Sequence, residues 1–297
     1  MKSLLRYTLK GIINISYEDV YTIYSLKDLE SLPSDTDIIP VGYRSGLKYE
    51  EDKTGIGLIL TGFDKIIIKN TYISIDSGVR YIEYLTRLLN NRMYIHFSYP
   101  PNPFESIGGL FNTNLLIPAY SLTYDEVVRR IIYYDLNSRS LLGREDGYIE
   151  YLYTSGSLKD VILLRLHLRK IPMHKGFKPQ VLYGVCESAF LSRLVSNIDS
   201  RIDISIIKGG REFEVVSYTY TSEGFNLVRS YLEDFKCDVK RVNIKTLLEV
   251  FPNIYKYNDY IKGEVRRVRR DDIDKILDKL IYIHLPSMQT LIGVSDE

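Results

Sequence analysis

The residues most able to do chemistry in this chain lie in two glycine-bearing loops. The first runs Pro40-Val41-Gly42-Tyr43-Arg44-Ser45-Gly46-Leu47 and directly follows a short apolar, β-branched run. The second spans residues 100–114, is rich in proline, and contains Glu105-Ser106-Ile107-Gly108-Gly109 followed by Asn112, Thr113 and Asn114. Glycine lets a backbone approach a ligand closely and points successive N–H groups into a concavity, which suits a phosphate or pyrophosphate. Either loop alone reads more readily as an ordinary turn. Their combination, with short strands between them, is what points to a ligand.

The other reactive residue types are sparse. The four histidines, His96, His167, His174 and His284, form no cluster with metal-ligand spacing. His96 precedes the second glycine loop, His167 sits in an alternating apolar run that suits a structural histidine, and His174 lies in a linker-like stretch. No catalytic residue is assigned. Cys186 and Cys237 are too few for a zinc or iron–sulphur site and stand far apart, which predicts no disulfide framework and the cysteine usage of a reducing compartment. Arg266, Arg267, Arg269 and Arg270 are followed by Asp271, Asp272 and Asp274, so the run reads as a solvated, self-neutralising edge.

Composition sets the frame for these residues. The chain has 297 residues, 45% hydrophobic and 26% charged, with a net charge of +1 and 26 tyrosines but no tryptophan, so a sizeable core in two domains is expected. Near-neutral charge argues against a nucleic-acid partner. No window is long and apolar enough for a membrane span, and the N-terminus lacks a signal-peptide core, so the chain reads as soluble and cytoplasmic.

Hydrophobic periodicity supplies the elements that must hold the loops. Strands are expected over 20–24, 37–41, 58–61, 65–69, 72–76, 126–136, 148–153 and 161–168. Helices are expected over 26–32, where Ser25 is the N-cap and Pro33 the stop, and over 79–89, where Val79, Ile82, Leu85 and Leu89 recur at helical steps. Pro172 to Pro179 marks the boundary, dividing the chain into 1–175 and 176–297. Beyond it the pattern predicts helix 185–198, a hairpin of 202–208 and 212–220 turned by Gly209-Gly210, helix 223–235 and helix 271–282.

With the loops and their order in hand, the chain resembles a known family: the FAD-binding domain shared by vanillyl-alcohol oxidase, p-cresol methylhydroxylase, D-lactate dehydrogenase and the glycolate oxidase subunits. The matching stretches are Ile39 to Leu47, Ser74 to Val79, Tyr99 to Asn114 and Ser155 to Ile162, and the resemblance covers about residues 17–172. It implies an α+β fold with a p-cresol methylhydroxylase-type FAD-binding domain of two α+β subdomains, followed by a small, reduced α+β cap like that of the smaller glycolate oxidase subunit.

The resemblance also implies a site. The backbone of Gly42, Tyr43, Arg44, Ser45, Gly46 and Leu47 would cradle the FAD pyrophosphate, and the loop carrying Pro101, Ser106, Ile107, Gly108 and Gly109 would face it from the other side. Asn112 and Thr113 would lie towards the flavin ring, Ile162 would border the adenosine, and Tyr43 leads the tyrosines expected to stack on a cofactor. Neither loop has a histidine placed to attach flavin, so non-covalent FAD is expected. The sequence departs from the family where Arg44 replaces a glycine, where Leu115 and Leu116 follow Asn114, and at Asp160.

The expected activity is oxidation of a small 2-hydroxy acid, of the glycolate or D-lactate dehydrogenase type. Hydride would pass to flavin, and electrons onward to a homologous FAD subunit or an iron–sulphur protein. Two alternatives stand beside it. One is a degenerate, cofactor-free subunit that scaffolds a homologous catalytic partner. The other is the flavin subunit of a molybdenum hydroxylase, whose usual Gly-Gly-Thr loop is missing here.

Overall fold

The computed structural model describes residues 16–32, 38–40, 54–60, 62–120, 122–145, 148–155, 160–171, 179–250, 252 and 263–293. The loop Gly42 to Leu47, residues 156–159 of the fourth matching stretch and residues 172–178 of the boundary lie outside the described residues. The chain clusters into two units. The first collects Met1–Tyr84, Phe104–Asn114 and Thr123–Lys170; the second collects Leu85–Pro103, Leu115–Leu122 and Ile171–Glu297.

In the first unit, β1 (Ser16–Thr22) leads into α1 (Leu26–Glu30), whose start is tied down by the Asp28 carboxylate accepting the Tyr24 and Ser25 N–H groups. With β2 (Ile38–Pro40) and β3 (Thr54–Ile59) it makes a parallel sheet of order β1-β3-β2. Parallel neighbours cannot be joined by a tight turn, and α1 lies in the connection from β1 to β2.

A second, antiparallel sheet follows. It is built from β4 (Ile66–Ile68) and β5 (Tyr72–Asp76). After α2 (Tyr81–Asn90), α3 (Ile107–Asn112) and α4 (Tyr124–Val127), it adds β6 (Val128–Asp135), β7 (Ser140–Glu145) and, beyond α5 (Tyr148–Ser155), β8 (Val161–Arg169). Its order is β4-β5-β8-β6-β7, so the near-continuous apolar run of β8 falls at the centre, with Val161 to Leu164 all buried. Ile162 and Leu164 pack with Ile23, Leu29, Leu58 and Tyr134, joining this sheet to the parallel one through a shared core.

Two expectations in this unit are corrected. Residues 148–153 form the helix α5 rather than a strand; Ile149 and Leu152, three apart, are buried while Tyr151 is exposed, and short aromatic runs leave that period ambiguous. The strand expected over 126–136 starts only at Val128, because Tyr124–Val127 closes a helical turn in which Glu126 accepts the Thr123 N–H.

The second unit is one seven-stranded antiparallel sheet with helices. In chain order it runs β9 (Gln180–Glu187), α6 (Leu191–Ser196), β10 (Ile204–Gly209), β11 (Glu212–Thr219), α7 (Ser222–Asp234), β12 (Asp238–Val242), α8 (Ile244–Val250), β13 (Gly263–Arg267), α9 (Ile273–Ile276), β14 (Leu280–Leu285) and β15 (Gln289–Gly293). The order is β12-β9-β11-β10-β14-β15-β13. The expected Gly209-Gly210 hairpin is present, with Gly210 at φ +30° and Gly209 paired to Glu212. Leu194 of α6, Leu232 of α7 and Ile273 of α9 pack with Ile206, Phe213 and Ile283 of the strands.

Here the corrections are larger. Residues 180–187 are a strand held between β11 and β12, so the expected helix shrinks to α6. The expected helix over 271–282 is only the turn α9, after which Leu280–Leu285 enters the sheet between β10 and β15. Both strands are placed by partners distant in sequence, which local periodicity does not encode.

The cysteine reading is also overturned. Cys186 and Cys237 form a disulfide with an S–S distance of 2.01 Å. β12 pairs with β9 so that Asp238 faces Val185, which brings Cys237 alongside Cys186 although 51 residues separate them. Disulfides persist in oxidising compartments and in some intracellular hyperthermophile proteins, so cysteine usage no longer argues for a reducing compartment. No helix among the described residues is long and apolar enough to cross a membrane.

Candidate functional site

The Ser-Ile-Gly-Gly turn is built by two chain segments of the first unit lying against each other. Tyr81 donates to the Glu105 carbonyl at 2.9 Å, Ile107 to that of Val79 at 2.8 Å and Gly108 to that of Ser77 at 2.8 Å. Ser106 caps α3, its Oγ accepting the Gly109 N–H at 3.0 Å. Thr113 closes the helix by donating to the Gly109 carbonyl at 3.0 Å.

The packing is tight at both glycines. A Cβ on Gly108 would stand 3.0 Å from Ser77 Cβ and 3.2 Å from the Ser77 carbonyl oxygen, and one on Gly109 would stand 2.7 Å from Glu105 Oε1, the movable end of a side chain. Gly78, beside them, allows no side chain, since its Cβ would meet the Leu60 and Phe63 carbonyl oxygens at 2.5 Å.

The Ser77 hydroxyl, on a residue only 1% exposed, has no hydrogen-bond partner among the described residues. The Glu105 carboxyl, on a residue 6% exposed, has its pKa pushed up to about 8 by burial, so that it is a neutral acid at pH 7. A buried polar group left unpaired is costly, which makes the Ser77 hydroxyl an observation that asks for a ligand or a reason. The neighbouring Asp76 differs: it accepts from Arg165 Nε at 2.5 Å and from the Lys65 N–H at 3.2 Å.

Glu105 has a consequence for stability. Its pKa stands near 4.5 in the unfolded chain and about 8 in the folded one, so folding retains a proton across that window. Stability therefore falls as pH rises from about 4.5 to about 8, by about 1.4 kcal/mol per unit. Glu105→Gln is expected to raise the unfolding free energy by about 4 kcal/mol at pH 7.5 and by almost nothing at pH 4. Urea denaturation at the two pH values measures this, and an equal effect at both would contradict it.

Of the residues expected at a site, Ser106, Ile107, Gly108, Gly109, Asn112 and Thr113 come together on α3 and its cap. Ile162 is fully buried in the core of the first unit, and Pro101 belongs to the second unit. Gly42, Tyr43, Arg44, Ser45, Gly46 and Leu47 lie outside the described residues, as does His174. His167, half-buried on β8 with its ring centroid 4.8 Å from that of Tyr72, has its pKa lowered by burial and then by Arg165, Arg130 and Arg129, as a structural histidine would.

The histidine that sequence reasoning passed over is His284. On the sheet of the second unit, the face opposite the helices carries buried polar side chains: Tyr183, Ser205, Glu214, Tyr282 and His284, with Ser205 directly opposite His284. His284 is fully buried. Its Nε2 lies 3.1 Å from Asp203 Oδ2 and 2.7 Å from Ser98 Oγ, and its Nδ1 lies 2.7 Å from Ser287 Oγ. Asp203 also accepts the Tyr120 N–H at 2.5 Å. Nearby, Tyr183 donates to Glu214 at 2.6 Å and Tyr282 to the Tyr99 carbonyl at 3.0 Å.

Ser98 and Asp203 share Nε2, while Ser287 stands alone on Nδ1. The Ser287 hydroxyl also donates to the His284 carbonyl and accepts the Gln289 N–H, so it is tied into the turn between β14 and β15. The alternation of Tyr282 and His284 with Ile283 and Leu285 was the available signal, and the expected helix 271–282 cut it at Tyr282.

Against known proteins, no family model matches and no curated relative is found. Solved structures do match. An alkyldihydroxyacetonephosphate synthase aligns at TM-score 0.57 and 10% identity over 93% of this chain and 70% of its own. Phl p 4, a grass pollen allergen with glucose dehydrogenase activity, aligns at TM-score 0.59 and 12% identity over 89% and 63%. The glucooligosaccharide oxidase of Acremonium strictum, whose structure reveals a flavinylation, aligns at TM-score 0.56 and 11% identity over 89% and 64%. The chain thus spans about two thirds of their length.

The residues present fit a phosphate-bearing cofactor at one point: the Ser77 hydroxyl is a buried donor without an acceptor beside the Gly108-Gly109 turn. With its mixed helices and sheets, the chain has the fold of the FAD-binding oxidases.

Proposed function

We propose that this chain is an FAD-binding oxidoreductase, or a subunit of one, acting on a small 2-hydroxy acid in the manner of glycolate and D-lactate dehydrogenases. The observation that carries the reading is the Ser77 hydroxyl, buried and without an acceptor beside Gly108 and Gly109, in a fold shared with FAD-binding oxidases. FAD, held without a covalent bond, supplies the hydride acceptor. The residues that would hold it are the backbone of Gly42 to Leu47 and Ser106, Ile107, Gly108 and Gly109 at the pyrophosphate, and Asn112 and Thr113 for the ring. Both cysteines are consumed in a disulfide, so neither thiol ligates an iron–sulphur cluster, and electrons pass to a partner subunit.

The test is direct. The purified protein, incubated with FAD and freed of excess, is expected to carry the visible flavin band and to quench flavin fluorescence. A colourless protein that ignores FAD overturns the reading. It would favour instead a cofactor-free scaffold for a homologous partner, which Arg44 in a glycine position suggests.

A further inference from the structure

We propose that one face of the five-stranded sheet in the first unit is a docking surface for an acidic segment of a partner protein, held through Arg129, Arg130, Arg165 and Arg169.

Strand register gathers these residues from separate stretches of chain, since side chains directly opposite one another share a face of a sheet. Tyr72, Ser74 and Asp76 of β5 lie opposite Arg169, His167 and Arg165 of β8. On the other side of β8, Arg130 of β6 lies opposite His167. Arg129 occupies the irregularity in β6 beside it, and its guanidinium stands 5.7 Å over the Tyr72 ring. The intervening residues Ile73, Ile75, Leu166 and Leu168 are buried. Arg129 and Arg130 are exposed, and Arg165 and Arg169 are half-buried.

Charge on this face is one-sided. Asp76 is the carboxylate among these arginines, and Arg165 Nε already donates to it at 2.5 Å. Arg169 Nε donates to the Asp125 carbonyl oxygen at 3.0 Å. Neither Arg129 nor Arg130 makes an ion pair among the described residues. Glu145, exposed on β7 opposite Arg130, stands at the rim. A Cβ on Gly143 would stand 2.5 Å from an Arg130 guanidinium nitrogen, so this glycine gives the arginine room to lie across β7. The cations converge on His167, whose pKa is lowered by burial first and then by Arg165, Arg130 and Arg129, with Asp76 opposing them.

A guanidinium presents a planar fork of donors that matches a carboxylate, and cations without an anionic partner favour an acidic surface. β5, β8 and β6 are adjacent strands, so the patch is about 10 Å across. That width fits a few carboxylates on one short segment. A nucleic-acid strand calls for a longer basic track, and here exposed Glu145 and the exposed Asp125 and Glu126 of α4, which leads into β6, interrupt it.

The experiment measures binding of a fluorescein-labelled hexaglutamate peptide to the full chain by anisotropy, at about 10 mM salt, where charges act over about 30 Å. Arg129→Glu with Arg130→Glu is expected to weaken binding by about tenfold or more. Arg266→Glu with Arg267→Glu, in the second unit, is expected to leave it unchanged. On the wild type, saturating peptide is expected to raise the His167 pKa read by NMR, because its carboxylates offset the arginines; a His167→Gln variant identifies the signal. Absence of peptide binding, equal binding by both charge-reversed proteins, or a His167 pKa that the peptide leaves unmoved overturns the proposal. Tighter binding of a single-stranded oligonucleotide or of phosphatidylserine vesicles through Arg129 and Arg130 also overturns it, since the face would then serve a nucleic acid or a membrane. The ring titration is made on the wild type, so it decides even where a charge-reversed variant does not fold.

Discussion

Replacing both cysteines, as Cys186→Ala with Cys237→Ala, is expected to lower the unfolding free energy by about 4 kcal/mol. The bridge closes a loop across 51 residues, and in the chain-entropy account a loop of that length restricts the unfolded ensemble by about that amount. Alanine is the informative replacement because both cysteines are buried in the apolar core of the second unit, with Leu182, Leu232 and Phe235, where a serine hydroxyl would add a desolvation cost of its own. Urea denaturation with and without a reductant gives the same comparison on the wild-type chain. The reduced protein should unfold at lower denaturant and with a steeper dependence, since its unfolded state exposes more surface. An unchanged midpoint would mean that the bridge is not formed in solution.

Removing the Asp203 carboxylate, as Asp203→Ala, is expected to cost about 3–5 kcal/mol. The carboxylate is 3% exposed and serves the His284 ring and the Tyr120 N–H together, so its loss strands the Tyr120 N–H and leaves the ring Nε2 with Ser98 Oγ alone. The cost is that of the groups left behind rather than the worth of the pair. Adding His284→Phe to the same chain should therefore recover part of it, because the nitrogen deprived of its carboxylate goes with the ring. A double-mutant cycle by urea denaturation measures the coupling. A loss below about 1 kcal/mol for Asp203→Ala would contradict a tightly held buried pair.

These two sites differ in how they were hidden. The cysteines were visible as residues but not as a pair, because their proximity depends on β12 lying beside β9, with β11 on the other side of that strand. His284 was visible as a histidine, yet its surroundings come from Ser98, Asp203 and Tyr120, each from a different stretch of chain. Glu105 shows a third case. It stood in plain view before the Ser-Ile-Gly-Gly turn, but its raised pKa comes from burial, which only the folded chain provides.

What the sequence determined by itself was local. The strand 72–76, the helix over 81–90, the buried run of β8, the Gly209-Gly210 hairpin and α7 were all legible, because each rests on a period or a turn residue acting over a few positions. The Ser106-Ile107-Gly108-Gly109 stretch was legible as residues and carried the resemblance to the FAD-binding fold, but it was read as loop, and that Ser106 caps the helix α3 there came only with the structure. Tertiary structure alone decided that residues 180–187 and 280–285 are strands, that 148–155 is a helix, that two distant cysteines meet, and that one glutamate is neutral. In each case the deciding free energy comes from partners far along the chain or from lost solvent, and neither is encoded in a short window of residues.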